Sequence, residues 1–519
     1  MPSSSSPDLL SRVLQHAASR PGAVALRDNS ESLTYGQLAD RAGQVAAGLR
    51  ALGAEPGGRV AVHLENSVPF VTTALGALWL GSAWCPLALH NPPARMSRIL
   101  ADCAPSLIVT SDPGAFTGPP APLVSPGQVL DAAGAGPAAA GEALPAPARA
   151  VDPARDAFII FTSGTTGTPK GVRVSEAAFR RSVLATVELA ALTTSTRALA
   201  VSAFHFDGSY GLLFPTLVAG GELTVPTRDE VLFPRRFFQL LLQTEATFTS
   251  FSPSFLRIIL SAGQFKSLSG VPLETMFLGG EECMAADVAR LWEVLPNVTV
   301  VNRYGPTEAT IAVTSYPVER GDVETGKIPI GPPHPGSEFY LLADGGGLID
   351  EPFAQGELYI GGDQLMTGYW RDEALTREVL REDLVAGQRL YRTGDLAYRD
   401  DRGRYFYLGR VDDIVKRDAI RISLSEVARA FRGAAGVTGA FSALVERDGL
   451  PAIAVFVEST AGVTRPELIE AAKAQLPATM LPDEVFVLEE LPMNSQGKVD
   501  RARVLAEAGL DAWQQGPPV

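Results

Sequence analysis

The chain has 519 residues, 46% of them hydrophobic, and a formal net charge of −14. That length exceeds a single core and predicts two or more domains, while the acidic balance excludes a broad nucleic-acid or anionic-membrane surface and requires any nucleotide to be held by a local cluster of donors. Cys85, Cys103 and Cys283 are too few and too scattered for a disulfide framework or a zinc site, and the opening Met-Pro-Ser-Ser-Ser-Ser-Pro-Asp lacks the basic and apolar regions of an export signal, so buried thiols and a cytoplasmic location are expected.

In chain order, Thr34 caps a predicted helix whose apolar face is Leu38, Ala42, Val45, Leu49 and Leu52, with Gly53 as its stop. Residues 59–64 read as a strand, 66–81 as a helix and 107–110 as another strand. The uncharged stretch 67–89 is interrupted by Pro69, Gly76, Gly81 and Pro86, so it reads as a buried helix and strand, not a membrane span. Strands alternating with helices predict a parallel sheet covered on both faces. Residues 112–150 are rich in Ala, Pro and Gly and are expected to form a loose surface connection.

The apolar run Phe158-Ile159-Ile160-Phe161 predicts a buried strand, and a run of hydroxyls and glycines follows it: Thr162, Ser163, Gly164, Thr165, Thr166, Gly167, then Lys170 and Gly171. Glycines let backbone N–H groups approach an anion, hydroxyls add donors, and the lysine adds charge. The spacing is not that of the common NTPase P-loop, which needs four residues between its first glycine and a Gly-Lys pair followed by Ser or Thr. The run resembles the signature loop of the adenylate-forming superfamily, which includes acyl-CoA synthetases, luciferases and nonribosomal peptide synthetase adenylation domains.

Further segments match that superfamily in order, so the resemblance covers nearly the whole chain. Phe206-Asp207-Gly208-Ser209 is similar to the segment of amino-acid-activating members in which the aspartate pairs with the substrate ammonium. The resemblance places the rest of the substrate pocket on Gly208, Gly211, Ser254, Phe277, Gly279, Arg303, Ile311 and Ala312. Gly211 stands where many relatives carry a bulky side chain, which implies a deep pocket. Arg303 either pairs with a second carboxylate or other polar group of the substrate, or points away and is structural. Asn302-Arg303-Tyr304-Gly305-Pro306-Thr307-Glu308 resembles the adenine and metal segment: Tyr304 would stack on adenine, Thr307 contact the α-phosphate and Glu308 hold Mg²⁺. One carboxylate plus phosphate oxygens suits that hard ion.

From about residue 330 short alternating segments predict a small antiparallel β unit, with a hairpin turn at Asp400-Asp401-Arg402-Gly403. Tyr391-Arg392-Thr393-Gly394-Asp395 resembles the ribose segment, with Asp395 accepting from the vicinal hydroxyls. Gly409-Arg410-Val411-Asp412 resembles the hinge, with Arg410 on the nucleotide and Asp412 as pivot. A helix over 425–432, a strand over 451–457 and a helix over 466–475 follow. Asn494-Ser495-Gln496-Gly497-Lys498 is similar to the segment of the adenylation lysine, here Lys498, with Gln496 in place of the usual Asn. The segment after the hinge departs from the pattern of thioester-forming relatives: Asp418-Ala419 stands where they carry a glycine beside the pantetheine tunnel, which leaves the thiol step open.

The resemblance implies an α/β fold: a large N-terminal domain of stacked mixed sheets with flanking helices over 1–411, including a small β unit at about 330–411, and a small mobile α+β domain over 412–519. It implies a ligase that uses ATP and Mg²⁺ to turn an α- or β-amino acid into aminoacyl-AMP with release of pyrophosphate, then loads the phosphopantetheine thiol of a carrier protein acting in trans in natural-product biosynthesis, without nucleic acid or membrane. The alternatives are the same chemistry with CoA, an amine or nitrite in play, or a catalytically silent nucleotide-binding protein.

Overall fold

A computed structural model describes residues 8–89, 91, 93–135, 154–163, 169–262, 265–343, 345–417, 420–447, 450–473, 476, 480–494, 498–510 and 512. By internal contacts the chain divides into two compact units, Met1–Phe339 with Ile360–Arg392, and Tyr340–Tyr359 with Thr393–Val519. This break in contacts falls at 392/393, ahead of the expected 411/412.

Two mixed sheets organise the first unit. One has eight strands in the order Thr314–Pro317, Thr299–Tyr304, Thr275–Gly279, Phe248–Phe251, Arg197–Ala200, Glu222–Thr224, Val24–Arg27, Ser32–Thr34. Its interior pairs are parallel and both edge pairs antiparallel. The other has seven strands in the order Gly368–Tyr369, Pro169–Ser175, Asp156–Ser163, Ala83–Pro86, Arg59–His63, Leu107–Thr110, Leu123–Val124. The expected parallel sheet is thus two sheets, each with antiparallel pairing at an edge.

Local chemistry sets the elements. The helix Tyr35–Ala51 begins in a capping box: Thr34 Oγ1 accepts from Gln37 N at 3.3 Å, and Gln37 Oε1 accepts from Thr34 N at 2.9 Å. The uncharged stretch is the helix Val68–Leu80, stopped by Gly81 at φ 79°, then the buried strand Ala83–Pro86. Among the described residues no helix is long and apolar enough to cross a membrane. The segment expected to be a loose connection holds a helix, Pro126–Ala135, whose Val129 carbonyl packs so close to Gly48 that a Cβ there would lie 1.8 Å from it. Alanine contributes little to an apolar periodicity, so the composition concealed this helix.

Trp84, Phe158, Phe179, Tyr210 and Phe214 form an aromatic core with ring centroids 4.8 to 6.4 Å apart, and Trp84 Nε1 donates to Tyr210 Oη at 2.9 Å. Edge-on aromatic pairs of this kind contribute about 0.5–1.5 kcal/mol each beyond their buried area. Tyr210 opens the helix Tyr210–Ala219, so this core fixes the turn just before it, Asp207–Ser209. The three cysteines are free and buried.

In the second unit, Leu390–Arg399 and Tyr405–Arg410 make the expected hairpin, which sets Asp395 opposite Arg410. It belongs to the same sheet as Ser337–Leu342 and Gln355–Gly362. Ile414–Arg417 pairs with Ile420–Ser423, and a three-stranded sheet is made of Gly439–Arg447, Leu450–Glu458 and Glu484–Leu488. Helices Leu424–Arg432 and Arg465–Lys473 pack Val427, Phe431, Leu468 and Ala472 onto a core with Ile453, Val455 and Val457.

Candidate active site

Four parallel strands of the eight-stranded sheet lie side by side, Thr299–Tyr304, Thr275–Gly279, Phe248–Phe251 and Arg197–Ala200. Asp207, Ser254, Gly279, Arg303 and Tyr304 all stand at, or just beyond, the carboxyl ends of these strands. That is where parallel sheets expose loops and ligands bind. Chain order separates these residues by nearly a hundred positions; the sheet gathers them.

Asp207 is the electrostatic centre. Its carboxylate accepts from the Thr307 hydroxyl and from the backbone N–H groups of Gly208 and Ile311. Its Oδ2 is inaccessible and has no hydrogen-bond partner, although the residue as a whole is partly exposed. Burial pushes its pKa up to about 6; Glu308 pushes in the same direction, and the three donors oppose both. The Thr307 hydroxyl therefore touches Asp207, a contact the sequence did not predict beside the phosphate role.

The donor from Ile311 comes from a strained turn. Thr310 and Ile311 both have positive φ, 58° and 73°, a conformation that is an outlier for β-branched residues and costs of order 1–3 kcal/mol each. Gln364 holds it. Its Nε2 donates to the carbonyls of Ala312 at 2.8 Å and Thr310 at 3.4 Å, and its backbone carbonyl accepts from Thr310 Oγ1 at 2.6 Å. His334 lies 3.4 Å from Gln364 Oε1 and 3.0 Å from Ser315 Oγ; burial, then the charge of Arg303, depresses its pKa to about 4, so the imidazole is neutral. Gly305 is required here, because a Cβ would stand 2.4 Å from Ala312 Cα.

Glu308 Oε1 accepts from the Tyr369 hydroxyl at 2.7 Å, and its backbone carbonyl accepts from Met366 N at 2.7 Å. Burial and Glu308 itself raise the Tyr369 pKa, so the phenol stays a donor. Lys170 Nζ lies 5.6 Å from the Tyr369 ring centroid, which places the lysine and the glutamate on one tyrosine. The glycine-rich run joins two antiparallel strands, with Thr162 opposite Lys170; Gly164, Thr165, Thr166 and Gly167, and the side chain of Ser163, lie outside the described residues. Tyr304 ends its strand, with its N–H on Thr314 Oγ1 at 3.2 Å and its ring edge-on to Phe339. No group of three His, Cys, Asp or Glu able to hold a metal occurs among the described residues, so a cation here would rely on Glu308 and on oxygens supplied by a ligand.

Arg303 is buried. Its guanidinium lies 4.6 Å from the Phe277 ring centroid and donates to Thr186 Oγ1 at 3.0 Å and to the Gly211 carbonyl at 3.3 Å. A Cβ on Gly211 would meet Arg303 Nη1 at 2.6 Å and Ile311 Cγ2 at 2.9 Å, so the depth expected beside Gly211 is filled by the arginine. Gly208, by contrast, borders open space. Gly279 sits opposite Arg303 in register, 3.1 Å from its carbonyl if a Cβ is added. Ser254 caps no pocket floor by itself: its N–H and hydroxyl are both engaged by Glu281. Ile311 and Ala312 are buried.

In the second unit, Arg410 Nη1 lies 3.4 Å from Asp395 Oδ1 and 3.3 Å from the Thr393 carbonyl, and Asp395 N donates to Thr393 Oγ1 at 2.9 Å. Asp412 falls in the turn Val411–Asp413. Lys498 is exposed, with its backbone N–H on Asn494 Oδ1 at 3.2 Å; residues 418–419 and 495–497 lie outside the described residues.

Residues 13–370 match the model of the AMP-binding enzyme family. The chain belongs to that family. Its curated relatives include tyrocidine synthase 3 of Brevibacillus parabrevis, 30% identical over 492 residues, which cover 94% of this chain and 7% of the relative. Phenyloxazoline synthase MbtB of Mycobacterium tuberculosis is 30% identical over 506 residues, 97% of this chain and 35% of the relative. The chain therefore spans only a minor part of the length of either. Among solved structures, a holo four-domain nonribosomal peptide synthetase bound to AMP and glycine is 26% identical, with a TM-score of 0.82 over 99% of this chain and 37% of that one. The family membership and the α/β fold inferred from the motifs hold.

Tyr369, Gln364 and Thr186 were not among the residues expected from sequence. Tyr369 stands in a Gly-Tyr-Trp run whose only local signal is aromatic. Gln364 and Thr186 are single polar residues whose bonds to Ala312 and Arg303 each span more than fifty positions.

Proposed function

We propose that this enzyme activates an amino acid: its carboxylate attacks the α-phosphorus of ATP, the bond to the leaving pyrophosphate breaks, and aminoacyl-AMP remains. The observation that carries the reading is Asp207 Oδ2, a buried oxygen without a partner on a carboxylate that three donors otherwise act on. An unpaired buried charge is costly, and a substrate ammonium would supply the missing cation. Fatty and aryl acids bring no such group.

Thr162, Lys170 and the glycine-rich run would bind the phosphates, Tyr304 the adenine, and Asp395 with Arg410 the ribose. Thr307 would share its oxygen between Asp207 and the α-phosphate. Glu308, held by Tyr369, would carry Mg²⁺, which when bound neutralises phosphate charge. Lys498 would bridge the attacking carboxylate and the α-phosphate, brought there by rotation about Asp412. Transfer of the acyl group to a carrier's phosphopantetheine thiol, with loss of AMP, is the acceptor step in this reading. The Asp418-Ala419 departure favours keeping CoA or an amine as a second acceptor class, which a thioester trap with carrier protein and with CoA separates.

The test is exchange of labelled pyrophosphate into ATP across a panel of α- and β-amino acids. Amino-acid-dependent exchange is expected. Its absence across the whole panel, with ATP bound, would end the reading.

A further inference from the structure

Arg303 is a buried charge and Asp207 a carboxylate with one buried oxygen, and among the described residues neither has an ion-pair partner within 4 Å. A guanidinium has five N–H donors. Two of Arg303's are accounted for, by Thr186 Oγ1 and the Gly211 carbonyl, both uncharged acceptors, and its buried Nε has no partner. Burial lowers its pKa to about 10, a value at which it still carries its proton near neutrality, while the field of Asp207 acts to keep it charged. Leaving a charge buried and uncompensated is costly, more so than leaving a neutral donor unpaired.

Packing holds the guanidinium in place. The Phe277 ring supports one side, and the absence of a side chain at Gly211 makes the space that it fills. A purely structural arginine would be expected to reach a carboxylate or a set of carbonyls that satisfies its donors. This one stands beside the substrate-amine candidate with donors to spare. Asp207 and Arg303 lie in each other's field without forming an ion pair, and each keeps room for a charged partner.

We infer that Arg303 forms a subsite for a second anionic group of the substrate, so that the enzyme's preferred class is amino acids carrying a further carboxylate. This rests on the amino-acid-activating reading above. The ammonium would face Asp207, the second carboxylate would face Arg303, and the first carboxylate would go to the nucleotide. A carboxylate matches the planar fork of a guanidinium, which an amide of the same shape matches without charge.

The experiment compares aspartate, glutamate and 3-aminoglutarate with asparagine, glutamine, alanine, β-alanine and valine, in pyrophosphate exchange and by calorimetric binding. The wild-type chain should prefer a dicarboxylate to its amide by about 10- to 100-fold in kcat/KM, the range expected for charged over neutral hydrogen bonds. Arg303→Gln should collapse that ratio toward unity. Arg303→Lys should keep part of it, and Gly211→Ala, which displaces the guanidinium, should reduce it. Because the ratio is read within each protein, a general loss of activity leaves the readout intact; a misfolded Arg303→Gln leaves the wild-type panel and Gly211→Ala to decide.

Wild-type preference for uncharged amino acids, or a ratio that Arg303→Lys and Gly211→Ala do not move, overturns the subsite while leaving amino-acid activation standing. Calorimetric binding of a dicarboxylate, weakened in Gly211→Ala but unaccompanied by exchange, would support the subsite and sink the ligase reading instead.

Discussion

Asp207 and Lys498 carry opposite charges in opposite surroundings. Asp207 is held by a hydroxyl and two backbone N–H groups in a corner built from four strand ends, a strained turn and a glutamine clamp. Lys498 is exposed on a short segment, and its two described bonds, both to Asn494, use its backbone and not its ammonium. Recognition of a cation needs a desolvated, preset anion, so the first region has to be rigid. An ammonium that acts only in the transition state needs reach, and water keeps it charged until then. Stability and activity should therefore separate between these regions: substitutions in the first change both, while substitutions in the second change activity alone.

The sharpest test of that separation is Lys498→Ala. Pyrophosphate exchange should fall by about 100- to 1,000-fold, the scale for loss of one transition-state donor, with the unfolding free energy unchanged within about 0.5 kcal/mol, as for exposed positions generally. Exchange kinetics and a denaturant melt on one preparation check it. An unchanged rate would remove the role assigned to Lys498.

Asp207→Asn should lower kcat/KM for the amino acid by about 10- to 100-fold through loss of the charged pair, and it should also change the pH response. The folded-state pKa, about 6, lies above the ordinary value of 3.8. The folded state therefore binds the extra proton, and the contribution of Asp207 to stability is full below pH 3.8 and is lost as pH rises through 6. Substrate recognition runs the other way, since only the ionised carboxylate pairs with an ammonium; kcat/KM should fall as pH drops below about 6. Melting temperatures between about pH 4 and 7 and the pH profile of kcat/KM measure the two, and both slopes should flatten in the variant.

Gln364→Ala acts on the turn that presents the Ile311 N–H. It removes the two hydrogen bonds made by Nε2 and the contact of Oε1 with His334, and leaves the one to the backbone carbonyl. The expected loss is about 2–3 kcal/mol of stability from those bonds and the cavity left behind. KM for the amino acid should rise more than KM for ATP. A melt with the KM pair tests it, and equal shifts in both constants would show that the clamp serves the fold alone.

The smallest effect expected is from Tyr369→Phe. It frees Glu308 Oε1 and should raise the Mg²⁺ concentration for half-maximal exchange by about 5- to 10-fold, equivalent to about 1–1.4 kcal/mol for one hydrogen bond to a charged group. Titration of exchange against Mg²⁺ reads it directly.

Where the chemistry is written in a contiguous run, the sequence was legible. Thr34 announces a helix start, and the capping box that it completes with Gln37 lies within four residues. The strand over 158–161 and the following Gly/Thr run declare an anion loop because glycine and hydroxyl spacing is itself the device. The helix Pro126–Ala135 was hidden because its alanines leave almost no periodicity, and its partner, Gly48, lies about eighty residues away.

The amino-acid order alone determined the family, the chain of motifs and the identity of the charged groups, since short-range patterning carries these. Only the tertiary structure decided which of those groups share one environment. It placed the Thr307 hydroxyl on Asp207, Tyr369 on Glu308, Gln364 across a strained turn and the Arg303 guanidinium in the gap at Gly211. Each contact joins positions far apart in the chain, and its strength comes from exclusion of water, a property of packing that no local run of residues encodes.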